Sequence, residues 1–566
     1  MLLPGALLTL LALLAMGRIL PNAFVQDDSG VLIGHPLIRH WDGLWRAFGQ
    51  PYWPLDNGRE LYRPLSIAWF TIQWQLGHGA PILFRVVSLG FYVACVLAAW
   101  RLLRQLVPAA AAWVGAALFA VHPVHTEAVA VGVNQSELAV AALLTVALTL
   151  RLRAAGDGRS TRATAWSIWA LFVVAILIKE HALVLPGLLL AADLLLADDA
   201  RGWRGALWRW RWLYAGLLVT GAAFWLVRTG VLGPGTGTQA AEALEGAGLL
   251  QRAFTMLGVP AEWLRLLLWP AHLQTDWNPV EWVPSRAWTV REWAGLSATV
   301  SLLLAFVLAW RRRPVLAFGL SWMVVSLAPV ANLVMPTGII LAERTLFLPS
   351  VGFVIVVADL VAPLARGWGT LPRPARLAAV VLLGSALTLG VLRSAARMGD
   401  WRDRPTFLIT QLRDAPTSWH AQLAYGFLLS DAGDTAGARL ALRRAIRLRA
   451  DDPLISKHLA DRMRLSQGRC AGPALLYQEL LRVVPGRSDL RGSLVACELW
   501  LGRYAEARAE AERGVASGLD ADYYRYVVGV ADSAERAAAP AGTVRLRPVG
   551  ARTTVIGDPH ATPGGR

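Results

Sequence analysis

The sequence predicts an all-α protein in two parts, a polytopic membrane helical bundle of about eleven spans followed by an α-solenoid of short helical repeats. Hydrophobic residues make up 55% of the 566 residues and charged residues only 17%, whereas soluble proteins average about 25% charged residues. The charge is unevenly distributed, since 51 of the first 399 residues are charged against 43 of the last 167. Glycines also recur at intervals of 34 and 35 residues in the polar part. These observations predict a membrane bundle over residues 1–397 and a soluble domain after it.

Apolar runs supply the predicted spans, since a helix needs about 20 apolar residues to cross a bilayer. A further stretch, 247–273, carries Arg252, Glu262 and Arg265 among apolar residues and reads as an amphipathic or re-entrant element at the membrane surface. The eleven runs are roughly 2–20, 82–100, 109–126, 136–150, 164–180, 181–197, 212–230, 292–310, 314–333, 346–365 and 376–393.

Arginine placement predicts the orientation of the bundle, because cytoplasmic loops are enriched in Lys and Arg. Alternate connections carry clusters such as Arg151–Arg162 and Arg311–Arg313, and these are predicted to be cytoplasmic. The other connections, including the long loops 21–81 and 231–291, then lie outside. An odd number of spans places the polar domain outside as well. We therefore expect a multi-pass protein of the cell (inner or plasma) membrane with an extracytoplasmic C-terminal domain.

The C-terminal part carries the signature of a helical repeat. Gly433, Gly468 and Gly502 occupy equivalent turn positions, and a small residue or proline follows five residues after each. This spacing matches the 34-residue tetratricopeptide pattern, with about three repeats over residues 400–537. Residues 538–566 are rich in Ala, Pro, Gly and Arg and are predicted to be a disordered tail.

The net charge of +16 raises the question of a nucleic-acid partner. The C-terminal part contributes +5, from 24 basic and 19 acidic residues, and the predicted cytoplasmic loops contribute most of the rest. The basic balance therefore reflects orientation in the bilayer, and no nucleic-acid partner is expected. Three well-separated cysteines give no disulfide pattern. No metal-ligand spacing is present, so neither a metal nor another cofactor is predicted.

Adjacent carboxylates open the first external loop, Asp27 and Asp28. Two carboxylates side by side at a membrane surface repel each other and lose hydration, so that one pKa tends to rise. Such a group suits a general base that receives a hydroxyl proton at neutral pH. The alternative is that both residues cap a helix that begins near Ser29.

Other polar residues map to the same predicted outer face. Arg63 and Arg344 suit phosphate binding through the guanidinium group, although Arg63 could equally anchor the loop at lipid headgroups and Arg344 could pair with a carboxylate. Glu180 interrupts apolar sequence between two spans, where polar groups are costly and often functional; a wet turn is the alternative. Two histidines and a glutamate cluster in HPVHTE, and they suggest hydrogen-bonding groups of an interfacial pocket more than a zinc site: His122, His125 and Glu127.

Five motifs in a fixed order identify a resemblance. They are FVQDDSGVLIGHPLI, YRPL, HPVHTEAVAVGVNQSEL, KEHALVLPGLLLAADLL and ERTLFLPS, and the predicted repeats follow them. The chain thus resembles the transmembrane and tetratricopeptide-repeat protein family, within the GT-C glycosyltransferase superfamily. WPAHLQTDW is similar to a further family landmark, with Asp276 in the position of an acidic residue. The chain departs from the family in lacking a basic residue after the Asp pair and in reading ERT where an aromatic version is more usual.

The resemblance implies an integral-membrane glycosyltransferase that moves mannose or a similar sugar from a polyprenyl-phosphate donor to a Ser or Thr of an extracytoplasmic protein acceptor. It implies that Asp27 or Asp28 is the base and that Arg344 contacts phosphate. The acceptor would dock on the repeats. A non-catalytic scaffold that uses the repeats to bind other proteins is the alternative. A transporter of lipid-linked glycans is a third reading, although the membrane part lacks an obvious doubled repeat.

Overall fold

A computed structural model describes residues 2–54, 61–156, 161–196, 202–233, 241, 244, 246–275, 277, 282, 285–333, 336–449, 454, 456–457, 460–461, 463–464, 469–544 and 546. Within these residues helices are the only regular secondary structure, so the all-α fold class is confirmed. The chain divides into two compact units, residues 1–415 and residues 416–566. We call them the membrane unit and the tail unit.

The membrane unit contains seventeen α-helices among its described residues, joined in places by short 3-10 turns. They are α1 (Leu2–Met16), α2 (Gly43–Arg46), α3 (Pro64–Gly77), α4 (Pro81–Leu106), α5 (Ala109–Val121), α6 (Thr126–Ala130), α7 (Gln135–Gly156), α8 (Thr161–Ile178), α9 (Leu185–Leu196), α10 (Gly202–Leu232), α11 (Leu249–Met256), α12 (Val259–Leu268), α13 (Val290–Ala309), α14 (Pro314–Leu327), α15 (Phe347–Arg366), α16 (Arg373–Gly399) and α17 (Arg404–Asp414).

Each apolar run forms a helix at its predicted place, which makes the chain a multi-pass membrane protein. Among the described residues, six helices are long and apolar enough to cross a bilayer, and a seventh span arises if α5 and α6, which bend by 48° at Pro123, cross together. Proline at this point removes a backbone donor and so breaks the helix. The total of eleven spans stays a prediction, because several of the remaining apolar helices are shorter.

Two segments of the predicted external loops fold into helices. The first loop contains α3, whose Pro64 starts the helix at a position where its missing N–H is not needed. The stretch 247–273 folds into α11 and α12, which bury one face of apolar residues and so have the expected amphipathic character.

Close packing of two glycines fixes α14 against α15. A Cβ on Gly319 of α14 would lie 2.8 Å from the carbonyl oxygen of Gly352 on α15, and one on Gly352 would lie 2.6 Å from that of Gly319. The two backbones therefore touch, as small residues permit in membrane bundles. This contact holds α15, which directly follows the 3-10 turn that contains the ERT motif.

The tail unit contains six described α-helices, α18 (Trp419–Asp431), α19 (Thr435–Leu448), α20 (Ala471–Val483), α21 (Ser488–Trp500), α22 (Tyr504–Ala516) and α23 (Ala521–Arg536). Gly433 joins α18 to α19 at φ +83°, and Gly502 joins α21 to α22 at φ +74°, a conformation that favours glycine. Gly468 and most of the predicted tail lie outside the described residues. The tetratricopeptide assignment stays a prediction, and the predicted turns at Gly433 and Gly502 agree with it.

The break between the two units falls after Ala415, later than the predicted boundary near residue 397. The reason is an ion pair between Arg397, near the end of α16, and Asp414, at the end of α17. Arg397 is almost completely buried, so its charge requires such a partner. The pair ties α17 to the membrane unit.

Candidate active site

The polar motifs of the membrane unit meet at one end of its helices, which we call the loop end. It is formed by the connection from α1 to α3, the α5–α7 connection, the α8–α9 turn and the segment before α15. Hydrogen bonds join these connections to one another across large sequence distances, for example from Arg344 to Glu127 and from Arg63 to Glu180. The sequence predicted that these residues lie on the same side of the membrane. The structure brings four of them together as two pairs, Arg344 with Glu127 and Arg63 with Glu180.

Asp28 is buried at the base of this site. Its Oδ2 lies 3.0 Å from Nη2 of Arg85, and its Oδ1 accepts a 3.0 Å hydrogen bond from the backbone N–H of Val133. Burial raises the pKa of the Asp28 carboxyl, against the opposing effects of Arg85 and of the Gly132 and Val133 amides. The Asp28 carboxylate is thus engaged by Arg85 and by the Val133 amide. It accepts no capping hydrogen bond from the short π-helix that follows it. Asp28 therefore holds the first loop to α4 and to the α6–α7 connection.

Asp27 lies in a different environment, although it is the adjacent residue. Gln26 has a φ of +53°, a backbone conformation that costs free energy for a residue other than glycine and is found at functional sites. The resulting turn leaves Asp27 partly exposed while Asp28 points inward. Among the residues that the structure describes, no side chain forms a hydrogen bond or ion pair with the Asp27 carboxylate. Its negative charge acts on Arg344 and on Tyr52.

Arg344 lies at the start of the α15 segment and is held by Glu127. One Nη atom pairs with Oε1 of Glu127, and the Arg344 backbone N–H donates to Oε2 over 2.8 Å. Glu127 is buried, whereas the Arg344 side chain is 19% exposed. Within the described part of the chain, the other guanidinium nitrogens of Arg344 have no hydrogen-bond partner. They remain available for an anionic ligand in addition to Glu127.

A second ion pair borders the same site. Arg63 donates from Nε and Nη2 to the two carboxylate oxygens of Glu180, at 2.9 and 2.5 Å. Its guanidinium carbon lies 5.0 Å from the ring centroid of Tyr52. Next to Glu180, Lys179 donates a 2.5 Å hydrogen bond to Glu137. The site is thus lined by cations that are each matched to a carboxylate.

The histidines of the HPVHTE motif are buried among neighbouring helices. His122 Nε2 lies 2.9 Å from the carbonyl oxygen of Leu267, and His125 bridges the Tyr92 hydroxyl at 3.0 Å and the Ser350 hydroxyl at 2.8 Å. Both rings therefore hydrogen-bond to groups on neighbouring segments. Across the described residues, no group of three or more His, Cys, Asp or Glu side chains has a geometry that could hold a metal ion.

Sequence reasoning missed several members of the site. Arg85 interrupts an apolar run, which is a signal that it has a buried partner, but the pairing with Asp28 spans 57 residues. Glu137 lies within the quoted motif NQSEL, and Tyr52 has no sequence signal at all. Asp276 was predicted as a pocket residue and lies outside the described residues.

Ion pairs at the opposite end of the helices are structural. Arg151 pairs with Asp193, which also accepts a 2.8 Å hydrogen bond from the Tyr214 hydroxyl. Arg313 lies 2.8 Å from Asp359. Asp193 and Asp359 therefore neutralise Arg151 and Arg313 at that end.

Comparison with known proteins identifies several relatives of this chain. No protein-family model matches the chain. It is 26% identical over 482 residues to the human protein O-mannosyl-transferase TMTC4, covering 75% of this chain and 64% of the relative. It is 24% identical to the Caenorhabditis elegans protein O-mannosyl-transferase F38B6.6, covering 75% and 60%.

The chain thus spans about three fifths of the length of these curated relatives. A solved structure of the Archaeoglobus fulgidus oligosaccharyltransferase, tethered with an acceptor peptide, aligns with a TM-score of 0.41 and 13% identity, covering 70% of this chain and 55% of the other. The resemblance drawn from the sequence motifs is confirmed by the curated relatives: over three quarters of its length, this chain is homologous to the transmembrane and tetratricopeptide-repeat protein O-mannosyl-transferases.

Proposed function

We propose that this protein is a multi-pass membrane glycosyltransferase that transfers mannose, or a similar sugar, from a polyprenyl-phosphate donor to a Ser or Thr hydroxyl of an extracytoplasmic protein. The observation that carries the proposal is the accessible carboxylate of Asp27, which has no side-chain partner among the described residues and whose charge acts on Arg344. A base and a phosphate-binding cation are the two groups that this transfer needs. The names of the homologous proteins support the same reaction class.

In the proposed reaction, Asp27 accepts the proton of the acceptor hydroxyl. The hydroxyl oxygen then attacks the anomeric carbon of the sugar, and the bond between that carbon and the phosphate oxygen breaks. The electron pair of this bond stays with the polyprenyl phosphate, which leaves as an anion. Attack from the face opposite the phosphate inverts the anomeric centre.

Arg344 would stabilise the departing phosphate. Charge develops on the leaving group in the transition state, and a cation that is already in place there lowers the barrier without reorganisation. Glu127 fixes the guanidinium by contacts to one Nη and to the backbone N–H. The remaining nitrogens of Arg344 can then donate to phosphate oxygens in the fork geometry that suits that ligand.

Arg63 would have a supporting role at the donor phosphate. Glu180 occupies two of its guanidinium nitrogens, which leaves fewer donors for phosphate than Arg344 retains. We therefore propose that Arg63 binds the donor mainly through its charge and the adjacent Tyr52 ring. The predicted external repeats would bind the protein acceptor along their concave surface.

The decisive experiment uses purified full-length protein in detergent with radiolabelled polyprenyl-phosphate sugars and Ser- and Thr-rich acceptor peptides. We expect transfer by the native protein and a loss of about 10²–10⁴-fold in kcat for Asp27→Asn. Asp42→Asn is a matched control, because Asp42 lies on the same loop, is 54% exposed and, among the described residues, has Arg46 as its ion-pair partner. Full activity of Asp27→Asn would refute the base assignment. Failure of the native protein with every donor would favour the scaffold reading.

A further inference from the structure

The first loop is fixed at two points, and Asp27 lies between them. The later point is the buried contact of Asp28 with Arg85. The earlier point lies at Asn22 and Ala23, directly after α1 and the short 3-10 turn that follows it. Asn22 is only 2% exposed although its side chain is polar, so its amide needs hydrogen-bond partners inside the protein.

The partners at the earlier point belong to the junction between α16 and α17. Nδ2 of Asn22 donates a 2.9 Å hydrogen bond to the carbonyl oxygen of Met398, near the end of α16. The backbone N–H of Ala23 donates to the carbonyl oxygen of Arg402 over 2.8 Å. Asn22 and Met398 are 376 positions apart, so sequence spacing gives no indication of the contact. The junction thus holds the first loop through one side-chain bond and one backbone bond.

The junction is itself held in place by buried contacts. Arg397 pairs with Asp414 and with Asp400, the latter at 3.2 Å. Trp401 is buried, and its ring centroid lies 4.9 Å from that of Phe407 on α17. These contacts fix the carbonyl groups that accept from the first loop. Because α17 is the last helix of the membrane unit, the first loop is anchored on the segment that leads into the tail unit.

Arg85 joins the two fixed points of the first loop. Its guanidinium donates to the carbonyl oxygens of Asn22 and Ala23, at 3.3 and 2.5 Å. It also donates to Oδ2 of Asp28 at 3.0 Å, and its side chain is completely buried. Only the segment 24–27 separates the two points. A displacement of the earlier point therefore moves the carboxylate that we assign as the base.

We propose that Asn22 is a positioning residue for the transfer reaction and that it acts on Asp27 through its hydrogen bond to Met398 at the α16–α17 junction. The proposal rests on the proposed function, because it takes Asp27 as the base of that reaction. A base must stand within hydrogen-bond distance of the hydroxyl that it deprotonates. A displacement of about 1 Å can lower the rate by about 10²-fold. The amide of Asn22 touches no substrate and sets where the Asp27 carboxylate stands when the acceptor arrives.

The test compares Asn22→Ala with Gln105→Ala in the full-length protein in detergent. Gln105 is a matched control, because its Nε2 donates to the carbonyl oxygen of Thr149 on another helix over 3.2 Å, and it lies at the far end of α4 from the first loop. Asp414→Asn is a second variant, which weakens the junction without altering the first loop. Hydrogen exchange of residues 22–33 is followed by mass spectrometry, and kcat and KM are measured in the same transfer assay as for Asp27→Asn.

We expect residues 22–33 to exchange roughly 3–10-fold faster in Asn22→Ala, as the loss of one hydrogen bond predicts, with a smaller increase in Asp414→Asn. The kcat of Asn22→Ala should fall by about 10–100-fold, with KM for donor and acceptor changed by no more than about twofold. Gln105→Ala should alter neither exchange of this segment nor kcat.

Unchanged exchange in both Asn22→Ala and Asp414→Asn overturns the proposal, as does a loss of kcat in Asn22→Ala no greater than that in Gln105→Ala. A native protein without transfer activity refutes the proposed function instead. Faster exchange in Asn22→Ala supports the anchoring of the first loop whether or not transfer is detected, so the two failures are distinguishable.

Discussion

Asp27 and Asp28 are adjacent in sequence, but their substitution should affect different properties. Substitution of Asp28 should lower the stability of the protein, and substitution of Asp27 should remove its transfer activity. Asp28→Asn removes the negative charge that lies 3.0 Å from the buried Arg85 guanidinium. The asparagine oxygen can still accept from Val133, as Asp28 Oδ1 does, but its NH₂ group would then face the donors of Arg85. We therefore expect a large loss of stability from Asp28→Asn and almost none from Asp27→Asn.

The size of the stability loss in Asp28→Asn depends on the contacts that Arg85 would keep. Removing one partner of a buried ion pair costs about 3–5 kcal/mol, because a charge is left without compensation. Arg85 also donates to the carbonyl oxygens of Asn22, Ala23 and Ala130, at 3.3, 2.5 and 2.7 Å. These dipoles offset part of the loss, so about 3 kcal/mol is expected. For a unit of this size that corresponds to a fall in apparent Tm of about 3–5 °C.

The assay combines thermal unfolding with sugar transfer on the purified full-length variants. Asp28→Asn should lower the apparent Tm, and the combined Asp28→Asn and Arg85→Gln variant should lose less than the sum of the two single losses, since the two residues are in contact. Asp27→Asn should shift the Tm by no more than about 1 °C, since exposed substitutions cost little, and should still abolish transfer. An unchanged Tm in Asp28→Asn, with a lowered Tm in Asp27→Asn, would show that the two roles are reversed.

Three further predictions concern the same site. Arg344→Gln should lower kcat/KM for the donor by roughly 10–150-fold, the value of one charge-assisted hydrogen bond, mainly through kcat because the contact strengthens as the phosphate departs, with partial rescue by Arg344→Lys; an unchanged kcat/KM would separate this residue from the leaving phosphate. Gly132→Ala should lower the apparent Tm, because its Cβ would lie 3.2 Å from Asp28 Oδ1 and overpacking costs about 1–3 kcal/mol; Gly90→Ala, at a position with open space, should not. Transfer should continue in EDTA, and its loss with recovery on adding Mg²⁺ or Mn²⁺ would contradict the expectation of a metal-free site.

Much of the fold could be predicted because the thickness of the bilayer sets the length of each spanning helix, and a run of that length is visible in the sequence. Every apolar run of the sequence became a helix, and the alternation of arginine-rich connections was sufficient to group Arg63, Glu127, Glu180 and Arg344 at one end. Every second connection between consecutive spans lies on the same side of the bilayer. Residues in those connections can therefore be grouped without knowing how the helices pack.

The pairings within the site could not be predicted in the same way. Whether Arg344 meets Glu127 or another carboxylate depends on how α5, α6 and α15 pack, and the two residues are 217 positions apart. The division of roles between Asp27 and Asp28 depends on which of the two carboxylates is buried against Arg85. No composition or spacing rule encodes either feature.

The distribution of charge at the loop end explains why Asp27 stands out among the carboxylates of this site. Glu127, Glu180 and Asp28 each lie against an arginine, so their carboxylates are already engaged by a cation. A general base must instead have a carboxylate oxygen that the acceptor hydroxyl can reach. Asp27 alone among these four has no described side-chain partner, while Arg344 nearby can hold an anion. The pairing of its neighbours therefore reduces the candidates for proton transfer to one carboxylate, and this makes the substitution of Asp27 a sharp test of the proposed chemistry.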